Sequence, residues 1–253
     1  MSKIKLILLD VDGTTVESQG DALPSERVIE AVQAAQNAGI HVALATGRPL
    51  DIAHPVFEAL GLTGISVLNG GSELWDLTTE TILSKQTMSI DQLRELVQAA
   101  LPFGFPISTE DNQYNKQFHS IDEVTKPAAK IFIEAVANDK LADLLQALNA
   151  VPDVAAHPTS SWTAGAVMDV HVTHDKATKQ HGVEQLMARL GINKDQTMAI
   201  GDSHNDIPLL EAAGLKVVMG NGPDEVKAIA DYVAPSLAED GVADAIYQYA
   251  LAD

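Results

Sequence analysis

The first and last thirds of this chain alternate short apolar runs with amphipathic stretches, and this alternation restricts the fold more than any other feature. Residues 4–9 form a run that is apolar except for Lys5, typical of a strand buried on both faces of a parallel sheet. A helix is predicted to begin at the cap Ser25 and to stop at Gly39, before a second apolar run at residues 42–45. Further helices are predicted at 49–61, 179–190, 205–213 and 223–230, and further strands at 65–68, 197–200 and 217–219. Strand–helix alternation at this spacing predicts an α/β fold with a doubly wound, mostly parallel sheet.

The middle of the chain has a different pattern, in which short strands can pair with one another. Ser89 and Gln92 have the spacing of a capping box, which predicts a helix that runs to about residue 101. Strands are predicted at 105–109, 114–118, 130–135, 154–157 and 167–172, and helices at 121–125 and 139–148. The simplest arrangement is an α+β domain of residues 86–174, inserted into an α/β core formed by residues 1–85 and 175–253.

Composition and charge exclude several classes of function. The chain has 253 residues, of which 46% are hydrophobic and 20% charged, so a sizeable core is expected. The 16 Lys and Arg residues are outnumbered by 35 Asp and Glu residues, and a net charge of −19 argues against nucleic acid or an anionic membrane as a partner. Without cysteine, thiol chemistry is excluded. No apolar run is long enough to span a bilayer and no leader pattern is visible, so a cytoplasmic location is expected.

Two acids follow the first predicted strand directly, in the run Asp10-Val11-Asp12-Gly13-Thr14. In an open α/β sheet, ligands bind beyond the carboxyl ends of the strands, so Asp10 and Asp12 are expected at the edge of a site. Two neighbouring carboxylates repel each other and are costly to bury, and a divalent cation would offset both effects. The structural alternative is an ordinary Asp-Gly turn.

A second acid pair follows another predicted strand, in the run from Gly201 to Asp206. Asp202 comes one residue after the strand, and a helix that begins near Asn205 would keep Asp206 within one turn of it. Ligand sets made only of oxygen suit Mg²⁺, which takes one or two carboxylates and keeps several waters. The structural alternative is that Asp202 or Ser203 merely caps the next helix, which would explain one acid but not acids on both sides.

Two further segments carry groups that could hold phosphate. Thr46, Gly47 and Arg48 close the second strand, where a hydroxyl, backbone amides and a guanidinium can contact phosphate oxygens. A helix start with Pro49 at its first turn explains the same residues equally well. Lys179 stands at a predicted helix start and shares the apolar side of that helix, which is unusual for a surface lysine.

In their order along the chain, these segments resemble the four motifs of the haloacid dehalogenase superfamily of phosphotransferases. The motifs are Asp10-x-Asp12-Gly13-Thr14, Thr46-Gly47-Arg48, Lys179, and Gly201-Asp202-x-x-Asn205-Asp206. The insertion lies between the second and third motifs, and its place and α+β pattern resemble the Cof-type subgroup with a type IIB cap. The resemblance covers the whole chain, and it implies a Rossmann-like catalytic core with an inserted cap that selects the substrate.

The same resemblance implies a Mg²⁺-dependent phosphatase that acts on small phosphorylated metabolites, sugar phosphates first among them. Asp10 would be the nucleophile that forms an aspartyl-phosphate, and Asp12 would protonate the leaving alcohol and later activate water. The implied metal site uses Asp10, the backbone carbonyl of Asp12, Asp202, and Asp206 behind it or beside it. The implied phosphate contacts are Thr46, Gly47, Arg48, Lys179 and Asn205.

Two departures from the family pattern and two rival functions stay open. Ser203 stands where the family often has glycine, and Gln180 stands where glycine often follows the lysine. Lys176 therefore competes with Lys179, although Gly182 falls where the family pattern continues after Lys179. A phosphomannomutase-like enzyme shares the opening motif, and a non-catalytic regulator could bind a phospholigand on the same scaffold. The oligomeric state and the residues that contact the substrate are not readable from the sequence.

Overall fold

The computed structural model describes residues 4–17, 22–111, 114–161, 165 and 167–252. The chain divides into two compact units, one formed by Met1–Ser84 with Thr178–Asp253 and the other by Lys85–Ala177. Within the described ranges, no helix is both long enough and apolar enough to cross a membrane.

The strands and helices are named in chain order. The strands are β1 (Leu6–Leu9), β2 (His41–Leu44), β3 (Ile65–Leu68), β4 (Glu73–Asp76), β5 (Thr81–Lys85), β6 (Ile107–Asp111), β7 (Tyr114–Phe118), β8 (Lys130–Ala137), β9 (Val154–Ser160), β10 (Val167–His174), β11 (Thr197–Gly201), β12 (Leu215–Val218) and β13 (Tyr232–Val233). The helices are α1 (Glu26–Asn37), α2 (Leu50–Leu60), α3 (Ile90–Ala100), α4 (Asn138–Leu148), α5 (Lys179–Leu190), α6 (Ile207–Ala212), α7 (Asp224–Lys227) and α8 (Gly241–Ala245).

The first unit is built on a parallel sheet with the strand order β13-β12-β11-β1-β2. The central strand β1 is parallel to both β11 and β2, and each of its four side chains is buried. Its last residue pairs with Leu44 on one side and with Ile200 on the other, so the loops after three strands begin at the same edge. The predicted α/β fold with a mostly parallel sheet is confirmed, since β1 has the uniformly apolar sequence that burial on both faces requires.

A three-stranded sheet with the order β3-β4-β5 continues the first unit, and only its first strand was predicted. β3 runs parallel to the end of β2 through a bridge between Ala45 and Val67, and it pairs with β4 in antiparallel register. β5 is largely exposed and carries no alternation of apolar residues, which explains why its sequence did not predict a strand.

Two helices of the first unit are shorter than their sequences predicted. The predicted helix at 205–213 is a 3₁₀ turn at His204–Asp206 followed by α6, which begins at Ile207 with Pro208 in its first turn. The predicted helix at 223–230 is the single turn α7.

The second unit is an antiparallel sheet with the order β7-β6-β8-β10-β9, packed on α3 and α4. Its core joins apolar side chains of both helices to alternate side chains of the strands, among them Leu93, Leu144, Ile133 and Val170. α3 begins at the predicted capping box, in which Gln92 N–H donates to Ser89 Oγ and Ser89 N–H donates to Gln92 Oε1. The α+β character predicted for this segment is therefore what its strands and helices form.

Candidate active site

Asp10 is the first residue after β1 and is buried at the carboxyl edge of the parallel sheet. Its backbone is fixed on both sides, because its N–H donates to Ile200 O at 3.0 Å and Thr15 Oγ1 donates to its carbonyl at 2.6 Å. The carboxylate is thus held where the loops after β1 and β11 meet.

Lys179 is a nearly buried cation that connects two of the acids. Its Nζ donates to Asp10 Oδ1 at 2.5 Å and to Asp206 Oδ1 at 2.6 Å, and its side chain is 10% exposed. Thr178 caps α5 by accepting from His181 N–H at 3.2 Å, so the lysine lies in the first helical turn. The structure therefore places Lys179, which the sequence left in competition with Lys176, directly on the Asp10 carboxylate.

Asp206 is a fully enclosed carboxylate that organises the loop after β11. Its Oδ2 accepts hydrogen bonds from the backbone N–H groups of Asp202 and Ser203 and from Ser203 Oγ, at 3.0–3.1 Å. A Cβ on Gly201 would lie 2.6 Å from Asp206 Cβ, so only glycine fits at the end of β11. The serine at 203 is compatible with the loop because its hydroxyl joins this network.

Asp202 faces Asp10 from the neighbouring strand end. Thr14 Oγ1 donates to Asp202 Oδ1 at 3.0 Å, which links the loops after β1 and β11. Asp10, Asp202 and Asp206 each offer an oxygen atom within 4.8 Å of the others. Three of the four residues predicted as metal ligands are thus brought together by their side chains, and the fourth, Asp12, contributes no side-chain oxygen to this cluster.

Burial dominates the electrostatics of this cluster. Desolvation raises the pKa of Asp10 to about 7, against the effect of the nearby Lys179 ammonium, and the Asp206 carboxylate adds to the rise. Desolvation also raises the pKa of Asp202 above its usual range. Burial by itself would lower the pKa of Lys179, but the carboxylates of Asp10 and Asp206 outweigh it and raise that pKa. Lys179 is therefore a permanent cation beside Asp10, a carboxylate that is costly to ionise.

The Arg48 guanidinium lies against Asp12. Nη2 donates to Asp12 Oδ1 at 2.7 Å and Nε donates to Oδ2 at 3.1 Å, a two-point contact that fixes the orientation of the carboxylate. The sequence placed Arg48 among the phosphate contacts, and in the structure its guanidinium contacts Asp12, the acid two residues after Asp10. The Asp12 side chain remains 40% exposed and can be reached by a ligand.

The other predicted phosphate contacts lie on the loops around Asp10. Thr46 is fully buried, and its Oγ1 accepts from Arg48 N–H at 3.1 Å. Gly47 is exposed between them, and nothing lies within 4 Å of the position that a Cβ would take there. Asn205 is exposed in the 3₁₀ turn that ends at Asp206.

Gly71 is a residue of this region whose role sequence reasoning missed, since Gly70-Gly71 is typical of an ordinary turn. Its φ is +101°, and a Cβ there would overlap the backbone carbonyl of Thr178 and lie 2.6 Å from Lys179 N. Gly182 approaches from the other side, where a Cβ would lie 2.6 Å from Val67 Cγ1. The helix that carries Lys179 therefore packs closely against β3 and the turn after it, because glycine at positions 71 and 182 leaves room for this contact.

Gly71→Ala is expected to destabilise the protein by about 2–4 kcal/mol, because it combines an unfavourable φ with a backbone overlap. Gly39→Ala is the matched control, since Gly39 has a φ of +80° but nothing lies within 4 Å of its Cβ position. Urea unfolding of the two variants measures the difference. Equal losses of stability in the two variants would show that the contact between Gly71 and the start of α5 tolerates a methyl group.

The charges and atom types of the cluster fit a divalent cation. Among the described residues, the four carboxylates of Asp10, Asp12, Asp202 and Asp206 meet only two side-chain cations, Lys179 and Arg48. Asp10 and Asp206 are buried and Asp202 is partly buried, so a bound cation would offset the cost of holding their charges together. An all-oxygen donor set without histidine or cysteine suits Mg²⁺ better than a transition metal.

Comparison with known proteins places this geometry in context. The family model described as haloacid dehalogenase-like hydrolase matches residues 7–125 and 107–246. A 5-amino-6-(5-phospho-D-ribitylamino)uracil phosphatase of Bacillus subtilis is 28% identical over 98% of this chain and 96% of its own length. A pyridoxal phosphate phosphatase of Escherichia coli is 27% identical over 97% of this chain and 98% of its own length. The solved structure of a subclass IIB sugar phosphatase of the same superfamily has a TM-score of 0.77 at 22% identity, covering 98% of this chain and all of that one.

Proposed function

The chain belongs to the haloacid dehalogenase-like hydrolases and is a phosphatase, and from this premise we propose that it hydrolyses phosphomonoesters of small metabolites, with Mg²⁺, through an aspartyl-phosphate on Asp10. The observation that carries the proposal is the contact of a buried carboxylate, at the end of the central strand, with a nearly buried lysine. A purely structural ion pair would not need two further acids beside it.

The first half-reaction transfers the phosphoryl group to the protein. An Asp10 oxygen attacks phosphorus as the bond from phosphorus to the alcohol oxygen breaks, and Asp12 donates a proton to the departing alcohol. Lys179 neutralises Asp10 and, with Thr46, Gly47, Arg48 and Asn205, would contact the phosphoryl oxygens. Bound Mg²⁺ would be held by Asp10, Asp202 and the backbone carbonyl of Asp12, with Asp206 either a further ligand or behind these ligands. The metal would reduce the repulsion between the Asp10 carboxylate and the phosphate.

The second half-reaction returns the protein to its starting state. Asp12, now anionic, accepts a proton from water as the water oxygen attacks phosphorus, and the bond from phosphorus to Asp10 breaks. Inorganic phosphate leaves, with Asp10 again a free carboxylate and Asp12 again protonated for the next substrate. The two-point contact with Arg48 holds the Asp12 carboxylate in one orientation for both proton transfers.

The proposed substrates are sugar phosphates and related small phosphate esters. Two proteins that resemble this chain are named for a phosphoribityl compound and for sugar phosphates, and both names describe phosphate on a polyhydroxylated carbon chain. Within this proposal the unit Lys85–Ala177 is the substrate-selecting domain, and the rest of the chain carries out the chemistry.

Removal of divalent metal is expected to abolish activity. We expect EDTA to reduce phosphate release from a panel of sugar phosphates and p-nitrophenyl phosphate by at least about 100-fold, because the charge of the acid cluster is then uncompensated. Excess MgCl₂ should restore the initial rate. The measurement is released phosphate by a colorimetric assay, with hexose phosphate isomerisation followed in parallel to detect mutase activity.

Two outcomes would contradict the proposal. Full activity in EDTA would remove the role of the metal, and isomerisation without phosphate release would replace hydrolysis by a mutase reaction. A matched reaction with Asp10→Asn protein corrects for any contaminating phosphatase.

A further inference from the structure

Asn221 lies in the loop after β12 and joins two segments that are distant in sequence. Its Nδ2 donates to Gly13 O at 2.8 Å, and its Oδ1 accepts from Leu237 N–H at 2.9 Å. Both the nitrogen and the oxygen of the carboxamide are therefore hydrogen-bonded. The nitrogen donates to the carbonyl of Gly13, the residue that follows Asp12. We propose that Asn221 is a positioning residue, which holds the loop of Asp10 and Asp12 in its active geometry.

Among the residues that the structure describes, those around this loop leave a space on one side of it. A cavity of about 640 Å³ lies here, and its lining includes Gly13, Thr15, Val16, Asn221 and Leu237. Gly13, Thr15 and Val16 are themselves buried, so packing fixes part of the loop, and hydrogen bonds to its backbone fix the side that faces the cavity. The Asn221 carboxamide is such a link, and it ends on the catalytic loop.

The catalytic loop also transmits a displacement directly to its neighbour. Gly13 has a φ of +82°, and a Cβ there would lie 2.5 Å from Asp202 Oδ2. Gly222, next to Asn221, packs on the same loop as Asp202, since its Cβ position is 2.5 Å from Asp202 O. A shift of Gly13 would therefore move Asp12 and displace Asp202. A substitution at Asn221 could thus alter the site although no residue of the site is itself substituted.

A second hydrogen bond, between two other residues that line the same cavity, provides a control. Ser25 Oγ donates to Asp240 Oδ1 at 2.6 Å and caps α1, but the hydrogen bonds of Ser25 do not reach the catalytic loop. Loss of this bond should lower stability without moving Asp12. Comparison of the two hydrogen bonds thus separates an effect on stability alone from an effect on the position of Asp12.

The inference rests on the proposed phosphatase function, and the test compares Asn221→Ala, Asn221→Asp and Ser25→Ala with the wild-type chain. Steady-state kinetics use p-nitrophenyl phosphate with saturating MgCl₂, and thermal denaturation reports stability. We expect Asn221→Ala to lower kcat about tenfold with KM within about twofold, the effect of one misplaced hydrogen-bonded loop. Ser25→Ala should lower the melting temperature and leave kcat within about twofold of the wild-type value.

Asn221→Asp shows which of the two bonds matters. It retains an acceptor for Leu237 N–H but places a carboxylate oxygen against Gly13 O, so kcat should fall at least as far as in Asn221→Ala. Wild-type kcat in Asn221→Asp would mean that only the bond to Leu237 matters, which overturns the proposal. A kcat of Asn221→Ala within about twofold of wild type would overturn it as well.

Hydrogen–deuterium exchange of the peptide that contains residues 11–16 gives a readout independent of turnover. The turn is closed by hydrogen bonds from Thr15 N–H and Val16 N–H to Val11 O. We expect exchange at these amides to accelerate at least about tenfold in both Asn221 variants and to stay unchanged in Ser25→Ala. If the wild-type chain released no phosphate, the proposed function would fail, while exchange would still decide whether Asn221 holds the loop.

Discussion

Asp10→Asn is expected to lower kcat for phosphomonoesters by at least about 10⁴-fold while the fold survives. The amide has the shape of the carboxylate but is a very poor nucleophile, so the covalent step is lost. The side chain is buried beside Lys179, and the substitution removes one of several crowded negative charges. The melting temperature should therefore stay within a few degrees of the wild-type value, and circular dichroism should be unchanged.

The control for this substitution is Asp195→Asn, which makes the same chemical change at an exposed position of the same unit. Its kcat should be within about twofold of wild type. Mass spectrometry after rapid quenching with substrate should detect an adduct of one phosphoryl group on the wild-type chain and none on the Asp10→Asn variant. Retained turnover in Asp10→Asn protein, measured after separate purification on fresh resin, would refute the assignment of the nucleophile.

The parallel core could be predicted because its strands carry a simple signal. Each residue of β1 is apolar and buried, and the acids come at its end, where a parallel sheet has no further side chains to pack. The residues placed each acid pair at the end of a strand, the family resemblance put Asp10 and Asp202 in one site, and the structure brings them together because β1 and β11 are adjacent and parallel. Local sequence and fold agree here, so the residues predicted the strands and the acids at their ends, but not which strands are neighbours.

Contacts set by tertiary packing could not be predicted in this way. Lys179 follows Asp10 by 169 residues, and only the family resemblance linked them. The two-point contact of Arg48 with Asp12 depends on how the loop after β2 folds back over the loop after β1, for which residue type gives no signal. Asn221 carried no motif of its own, because a single asparagine in a loop is compatible with many roles.

Lys179→Met is expected to damage both stability and turnover. It leaves Asp10 and Asp206 without their cation, and removal of one partner from a buried pair costs about 3–5 kcal/mol. Turnover should fall at least about 10³-fold, since the same ammonium neutralises the nucleophile and would contact the transferred phosphoryl group. Methionine retains most of the volume of the lysine stem, so the loss reports charge and hydrogen bonding more than packing.

The stability of this variant should depend on metal more strongly than that of the wild-type chain. Thermal denaturation in EDTA and in MgCl₂ measures this dependence. The divalent cation should raise the melting temperature of Lys179→Met by several degrees more than it raises that of the wild-type chain, because it supplies the positive charge that the lysine provided. Lys176→Met tests the competing lysine, whose exposed position gives no reason for a comparable loss. If Lys176→Met lost turnover while Lys179→Met retained it, the assignment of Lys179 as the cation that neutralises Asp10 during turnover would be wrong.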